Sequence, residues 1–545
     1  MLYTFGLSSS VGSLVCVGLC GHPYRFFVWR NCAVLQIRDL SIMHRKDLHT
    51  ILEGFSCTLN RGDKAVIIGE EGNGKSTLLK WIYDPMLIDG YADAEGTCTY
   101  NGEKLSYLPQ ELPDQYRGLT VYEFFCEYPL FHEVSPKELI AQSAKFGFDP
   151  DFVYSDRIME TLSGGEKVKT QMLRILLEEP TVLLLDEPSN DIDIEMLEWM
   201  EKTISDFKGI VLFISHDETL IENTANMVIH LEQLYRKREC RYTVARVPYA
   251  VYASQRVNAL ENQEQQARQD IREKKIRDEK FRRIAQKVEQ AQNNISQSDP
   301  HGGRLLKKKM KAVKSLEHRF EREDESMTEM PYAEEAINFR LGSEENAVPN
   351  GKTVLDFGPT DIVIPEGTEV LSYGVELSVR GPEKIGIIGK NGAGKTTLLK
   401  KILETLEDRS DLRIEYMPQN YMDLLDPEAT PVESICKKGD PEERKMVRNW
   451  LAALKFTAEE MDRPVKELSG GQKAKIFLLR MNTFGANVLI LDEPTRNFSP
   501  LSGPVIRSML SNFPGAIISV SHDRKYLAEV CDRVLRLTEE GLSEV

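Results

Sequence analysis

Short apolar runs and longer stretches at helical spacing alternate along the chain, and the same alternation occurs twice. Ala65–Ile68 and Ile385–Ile388 are apolar runs that lead into glycine-rich turns. From Lys75 and from Lys395 onward the sequence continues as an amphipathic helix. Val182–Leu185 and Val488–Leu491 read as buried strands, as do Ile210–Ile214 and Ala516–Val520. Each copy is therefore predicted to be α/β. Ordered sequence is expected from about Val34, because Leu35–Ile37 alternates as a strand does.

Between the copies the pattern changes. Phe281, Ile284, Val288, Ala291 and Ile295 fall at helical spacing, and Leu306, Met310, Val313 and Phe320 form a second stripe. Ser298-Asp-Pro-His-Gly-Gly303 separates them with breaker residues. This predicts an antiparallel helical hairpin with its tip near Pro300. The expected organisation is an extension over 1–33, a first α/β domain over 34–250, a helical linker over 251–330 and a second α/β domain over 331–545.

Composition sharpens this layout. The 545 residues are enough for several domains, and 41% apolar with 28% charged residues is ordinary for a soluble globular protein. The net charge of −16 argues against nucleic-acid binding unless a basic segment is set apart. The linker is such a segment. Gln255–Arg322 holds 18 lysines and arginines against 10 acids, and Arg304, Lys307, Lys308, Lys309, Lys311 and Lys314 have no acid among them. Six phosphate contacts there would give a salt slope of roughly −4 to −5. Folded RNA suits a narrow helical probe, and the scarcity of aromatics disfavours single-strand stacking. The 9 cysteines are scattered and form no C-x-x-C, which argues against disulfide, zinc-ribbon and iron–sulfur frameworks and for reduced thiols in the cytoplasm. No apolar run approaches the about 20 residues of a membrane span. Val11–Leu19 lacks a preceding Lys or Arg, so residues 1–33 read as a disordered or spurious extension rather than a signal.

The candidate chemistry sits in the repeat. Gly69-Glu-Glu-Gly-Asn-Gly-Lys-Ser76 and Gly389-Lys-Asn-Gly-Ala-Gly-Lys-Thr396 are both P-loops. Their candidate phosphate-binding residues are Gly69, Gly72, Asn73, Gly74, Lys75, Ser76 and Thr77, with Gly389, Asn391, Gly392, Gly394, Lys395, Thr396 and Thr397 in copy two. Backbone N–H groups curl around phosphate oxygens, the lysines reach the β/γ-phosphates, and the Ser76 and Thr396 hydroxyls ligate Mg²⁺. Asp186 and Asp492 end apolar strands, where a carboxylate faces the phosphate crevice and can hold the metal's water shell. Glu187 and Glu493 follow and can polarise an attacking water. His216 and His522 recur at the same 306-residue offset as these acids, which favours a catalytic role over a structural one. The P-loops are offset by 320 residues. Most of the difference lies between Lys75 and Gln110, 35 residues against 24 from Lys395 to Gln419, so copy one carries an early insertion.

The ordered set of P-loop, Gln, Leu-Ser-Gly-Gly-[Glu/Gln], Leu-Asp-Glu-Pro and Ser-His-Asp resembles an ABC-type nucleotide-binding domain, twice over. The resemblance implies two composite ATP sites. One pairs Lys75 and Ser76 with the signature Ser469, Gly470 and Gly471. The other pairs Lys395 and Thr396 with Ser163, Gly164 and Gly165. It also implies that Gln110 and Gln419 touch Mg²⁺ and the water. Tandem domains joined by a charged helical linker resemble the ABC-F family, which implies an ATPase that binds the ribosome. The linker Gln255–Arg322 would then approach rRNA and the P-site tRNA, in a monomer that closes on itself around ATP. Translation factors and antibiotic-resistance ribosomal protection proteins both occur in that family.

Some features depart from the family pattern. Copy one reads Ser189-Asn-Asp-Ile-Asp193 after its Glu-Pro, but copy two reads Thr495-Arg-Asn-Phe-Ser-Pro500 and lacks the terminal acid, which weakens the expectation of turnover at the site built on Lys75. Glu166 replaces a signature Gln, a milder change. Gln110 to Leu162 and Gln419 to Leu468 span 52 and 49 residues, leaving little room for an arm inserted in copy one. His44 falls where the family places an adenine-stacking Tyr. Two other readings compete: the ATP-binding subunit of a membrane ABC importer, which does not need a basic hairpin, and a DNA-repair or chromosome-associated ATPase, whose zinc cysteines or very long coiled coils are missing here.

Overall fold

The computed structural model describes residues 15–17, 23–25, 35–46, 48–100, 102–129, 131–149, 151–190, 192–234, 239–293, 300–325, 327, 328, 330, 331, 341, 342, 347–364 and 370–545. The expected 1–33 extension lies mostly outside these residues; its described part pairs Val15–Val17 with Pro23–Arg25, antiparallel. The chain divides into two compact units, Val247–Ala336 and the remainder, which holds both α/β copies.

The apolar runs become the centre of two six-stranded sheets. In copy one Lys64–Ile68 lies between Ile210–Ile214 and Met227–Gln233, parallel to both. Val182–Asp186 and Leu105–Leu108 extend one side, and Glu239–Ala245 closes the other edge antiparallel. Copy two repeats the order with Ile414–Met417, Val488–Asp492, Ala516–Val520, Lys384–Ile388, Arg533–Thr538 and Gly541–Glu544. Strands such as Val182–Asp186 and Ala516–Val520 are buried at every position, as runs rich in Val, Ile and Leu specify. Helix Lys75–Tyr83 packs Leu78, Leu79 and Ile82 on Ile67, Leu184 and Leu212, and helix Lys395–Glu407 packs Leu398, Leu399 and Ile402 on Ile387, Ile490 and Ile518.

A smaller antiparallel sheet flanks each copy and accounts for the early insertion. In copy one Leu35–His44 pairs with Thr50–Leu59 on one side and Ala92–Thr99 on the other. In copy two Thr353–Val363 pairs with Val370–Arg380, and among the described residues no third strand joins them. The extra residues of copy one therefore form strand Ala92–Thr99. Gly96 lies against the bulge at Asp39 in the neighbouring strand. A Cβ there would stand 2.7 Å from Leu40 Cα, so the bulge requires glycine.

The two copies also meet through charge. Arg507, buried in helix Gly503–Ser511, binds Glu218 and Glu529, each at 2.7 Å. Lys525 binds Glu222 at 2.6 Å and Glu218 at 3.1 Å. Arg524 binds Asp217 at 3.2 Å and also pairs with Glu201.

The linker unit contains helices Tyr249–Asn293 and Pro300–Glu325, antiparallel to each other. Phe281 meets Phe320 edge-on at 5.7 Å, and Arg277 lies over Phe320 and pairs with Glu323 and Asp324. Lys274 binds Asp324 at 2.8 Å. The connecting turn, with Ile295, Ser298 and Asp299, lies outside the described residues, and Pro300 is the first residue of the second helix. The expected stripe needs one correction. Ile284 is 46% exposed, and Ala285 joins Phe281 and Val288 as the half-buried positions, because the seam follows i, i+4, i+7 here. Arg304, Lys307, Lys308, Lys309, Lys311 and Lys314 are all exposed. Among the described residues no helix is long and apolar enough to cross a membrane.

Candidate functional site

Each P-loop turns through glycine into a helix. Gly74 and Gly394 cap helices Lys75–Tyr83 and Lys395–Glu407 in the left-handed conformation, φ 85° and 89°. A Cβ on Gly74 would overlap Ile51, so only glycine lets the loop pass. Lys75 Nζ donates to the carbonyls of Gly69 and Glu70 at 2.9 and 3.1 Å. Lys395 Nζ donates to those of Gly389 and Lys390, both at 2.9 Å.

A hydroxyl and a carboxylate meet beside each lysine. Ser76 Oγ donates to Asp186 Oδ1 at 2.8 Å, and Thr396 Oγ1 to Asp492 Oδ2 at 2.7 Å. Burial raises both aspartates above the usual carboxylate range, with these hydrogen bonds pulling the other way. Tyr107 also donates to Asp186 Oδ2 at 2.9 Å, whereas the hydroxyl of Tyr416, at the same strand position in copy two, is buried without a partner among the described residues.

Glu187 and Glu493 both sit in left-handed backbone at strand ends, φ 50° and 53°. That conformation is strained for a residue with a side chain and recurs at both sites. The surroundings then diverge. Glu187 accepts from Gln110 Nε2 at 3.0 Å and from Asn190 Nδ2, and His216 Nε2 lies 3.3 Å away. Burial opposes ionisation of Glu187, but His216, Lys75 and Asn190 outweigh it and hold the carboxyl at about 2. For Glu493, burial and then the Asp492 charge push the carboxyl up to about 8, because the His522 N–H, Lys395 and Arg496 compensate only in part. Burial, with Lys395 nearby, lowers His522 to about 4.

Beside a cavity of about 930 Å³ that Asp193, Glu195 and Glu198 of copy one share with Gly389–Ala393 and His522 of copy two, two cavities between the halves hold most of the expected site residues. The larger, about 570 Å³, brings Ser163 and Gly164 of copy one against Asn391, Gly392, Gly394, Lys395, Thr396, Thr397, Gln419, Asp492, Glu493 and His522 of copy two. The smaller, about 390 Å³, holds Gly72, Gly74, Lys75, Ser76, Thr77, Gln110, Glu187 and His216, with Arg496 and Asn497 arriving from copy two. Signature residues Ser163 and Ser469 cap helices Gly164–Leu177 and Gly470–Thr483 through matching capping boxes with Glu166 and Gln472, so the substitution at Glu166 leaves the cap intact. Gly471 N donates to Glu71 across the smaller site.

Some expected residues stand back from the cavities. Asn73 is buried, and its amide donates to Leu231 O at 3.0 Å, tying the loop to the sheet. Gly69, Gly165, Asp186 and Gly389 line neither of these two cavities, and neither do the signature residues Ser469, Gly470 and Gly471 expected at the smaller one. Sequence reasoning missed Asn190 and Arg496, which line both cavities, and Tyr91, which lines the smaller one beside His44 with ring centroids 6.4 Å apart. Tyr91 adjoins the extra strand of copy one. In the larger cavity Ile364 and Leu371 stand at the corresponding wall.

Comparison with known proteins places this geometry. The ABC transporter family profile matches residues 52–190 and 373–496. The chain is 25% identical to ABC transporter F family member 5 of Arabidopsis thaliana, over 91% of this chain and 74% of that protein. It is 27% identical to the ribosome protection protein VmlR of Bacillus subtilis, over 91% of this chain and 85% of that one. Its fold is similar to an archaeal ribosome recycling factor, aABCE1, solved with the ribosomal stalk protein aP1: TM-score 0.56, 18% identity, 93% of this chain and 90% of that chain. Two copies of one ATPase domain, relatives aligned along nine-tenths of the sequence and P-loops that face opposing signature helices lead to one assignment: the chain is a tandem ABC-type ATP hydrolase, similar along most of its length to an ABC transporter F family protein.

Proposed function

We propose that the chain binds ATP at two composite sites between its halves and uses hydrolysis to engage and release a ribosome through its basic hairpin. The observation that carries this reading is the shared wall of the larger cavity, where Ser163 and Gly164 of one half face Lys395, Thr396 and Glu493 of the other. A nucleotide held there touches both halves, so its γ-phosphate favours closure and its loss favours opening.

In this reading Lys75 and Lys395 hold the β/γ-phosphates, and the signature glycines and serines cap the γ-phosphate. Each hydroxyl–carboxylate pair, Ser76 with Asp186 and Thr396 with Asp492, offers hard oxygen donors that fit Mg²⁺. Among the described residues no cluster of three His, Cys, Asp or Glu side chains forms, so phosphate oxygens and water would supply the other ligands. Bound there, Mg²⁺ would neutralise phosphate charge. Glu187, ionised, accepts a proton from the attacking water as its oxygen bonds to the γ-phosphorus and the bond to the β–γ bridging oxygen breaks, and Glu493, held protonated up to about 8, takes that part only in its ionised form. Gln110 and Gln419 orient that water, and His216 and His522 position the glutamates. The adenine base would lie against His44 and Tyr91 in the smaller site and against Ile364 and Leu371 in the larger.

The ribosome is proposed as the target because the exposed cations of the hairpin stand out from an acidic chain, and because a relative is named as a ribosome protection protein. In this reading the chain acts in the cytoplasm as a monomer. The test is sedimentation of ribosomes with the Glu187→Gln, Glu493→Gln double variant. The variant is expected to pellet with ribosomes in ATP and to stay in solution without it. Equal pelleting in both conditions, or none, rejects the reading.

A further inference from the structure

The two P-loops differ in charge where they face the opposite half. Glu70 and Glu71 stand where copy two has Lys390 and Asn391. Two carboxylates beside a phosphate cradle repel the anion that the cradle would hold.

The structure shows those carboxylates engaged across the seam. Glu71 Oε2 accepts from the backbone N of Gly471 at 2.6 Å, within the first turn of the signature helix Gly470–Thr483. Glu70 accepts from Ser502 Oγ at 2.9 Å and lies 3.8 Å from Lys475 Nζ on the same helix. A Cβ at Gly470 would stand 3.1 Å from Glu71 Oε2, so the glycine keeps room for the carboxylate. A helix N-terminus with free N–H donors attracts an anion, and here the anion belongs to the opposite half of the chain.

The rest of the seam agrees. His216 Nδ1 lies 2.8 Å from the Phe498 carbonyl of copy two. The equivalent Nδ1 of His522 is buried with no partner among the described residues, and the cavity beside it is the larger of the two. Copy one supplies Asp193 toward Lys395 and His522, whereas copy two has Ser499 at that position. The acid of the smaller site has moved from the facing loop to the P-loop itself.

Building on the composite-site reading, we propose that Glu71 is an internal anionic ligand of the signature helix that competes with the γ-phosphate for Gly471 N–H and makes the Lys75 site favour diphosphate over triphosphate. A diphosphate leaves the Glu71–Gly471 bond in place. A triphosphate must break it and bring its terminal charge up to two carboxylates. The Lys75 site thus stays shut through the cycle, and the Lys395 site, which has Lys390 and Asn391 instead, opens and closes with ATP.

The test uses the full chain carrying Lys395→Ala, so that nucleotide binding reports the Lys75 site, with fluorescent mant-ATP and mant-ADP as probes. With Glu71 present, mant-ADP is expected to bind more tightly than mant-ATP. Glu71→Asn, which copies Asn391, is expected to tighten mant-ATP about tenfold while moving mant-ADP by less than about twofold. Glu71→Gln keeps the acceptor oxygen and the side-chain length, and is expected to behave alike because charge is the cause. Equal shifts for both nucleotides, or none in either variant, overturn the role of Glu71 alone. A Lys75→Ala, Lys395→Ala control that still binds nucleotide overturns the composite-site reading and this proposal with it.

Discussion

Glu187 and Glu493 share a motif, a strand end and a left-handed turn, yet they carry different charge. At about 2, Glu187 lies below its ordinary 4.5, so its ionised form stabilises the fold above that range and the contribution is lost as pH falls toward 2. At about 8, Glu493 lies above its ordinary 4.5, so the fold favours its protonated form and loses that stabilisation as pH rises through 8. Glu187→Gln is therefore expected to lower the melting temperature at pH 7 and to have little effect near pH 2. Glu493→Gln is expected to raise it at pH 9 and to have little effect near pH 4. Shifts of a few degrees correspond to about 2–4 °C per kcal/mol in domains of this size. Scanning calorimetry of both variants across pH checks the opposite signs. The repeat made both glutamates legible in the sequence. Their difference was not, because it depends on whether an amide at Asn190 and an imidazole at His216 come within reach. Glu71 was hidden for a similar reason, since the P-loop pattern accepts any residue there and its partner lies 400 positions away.

The elements were read well where one kind of residue fills them. The strands predicted at Ile210–Ile214 and Ala516–Val520 form with those bounds, and the others start or end within one residue. Strand Ala92–Thr99 escaped notice because its sequence is mostly small and polar and only Ala92 is fully buried, so pairing with Leu35–His44 defines it rather than its own pattern. The linker helices were legible from their spacing, but the seam between them was not, since Ile284 and Ala285 fit a helical stripe equally well. The exposed cations of helix Pro300–Glu325 give a further expectation. Replacing Lys307, Lys308 and Lys309 with Gln is expected to reduce the slope of log K against log salt for ribosome binding by about 2 to 3. Sedimentation over a salt series measures it. An unchanged slope would mean that these lysines touch no phosphate.

At the scale of the whole chain, the two halves are held by an ion network that the repeat does not reveal, because apart from Asp217 its cross-seam members lie in positions where the copies differ. Arg507 is 3% exposed and Glu218 is 8% exposed. Removing Arg507 leaves buried Glu218 with Lys525 alone, and removing Glu218 leaves buried Arg507 with Glu529 alone. Arg507→Leu is expected to cost about 3–5 kcal/mol, and adding Glu218→Leu to recover most of it. Chemical denaturation of the single and double variants checks both values, and a double variant no better than the single would show that the pair is not coupled. Across the seam the signs are allotted by half, with Glu529 of copy two pairing within its own half. Copy one brings Glu201, Asp217, Glu218 and Glu222, and copy two brings Arg507, Arg524 and Lys525. Two first halves from different molecules would set acid on acid along this face, and two second halves would set base on base. Duplicated domains are prone to exchange mates; here the divergence of a few side chains makes like-with-like pairing repulsive and reserves each half for its own unlike sibling.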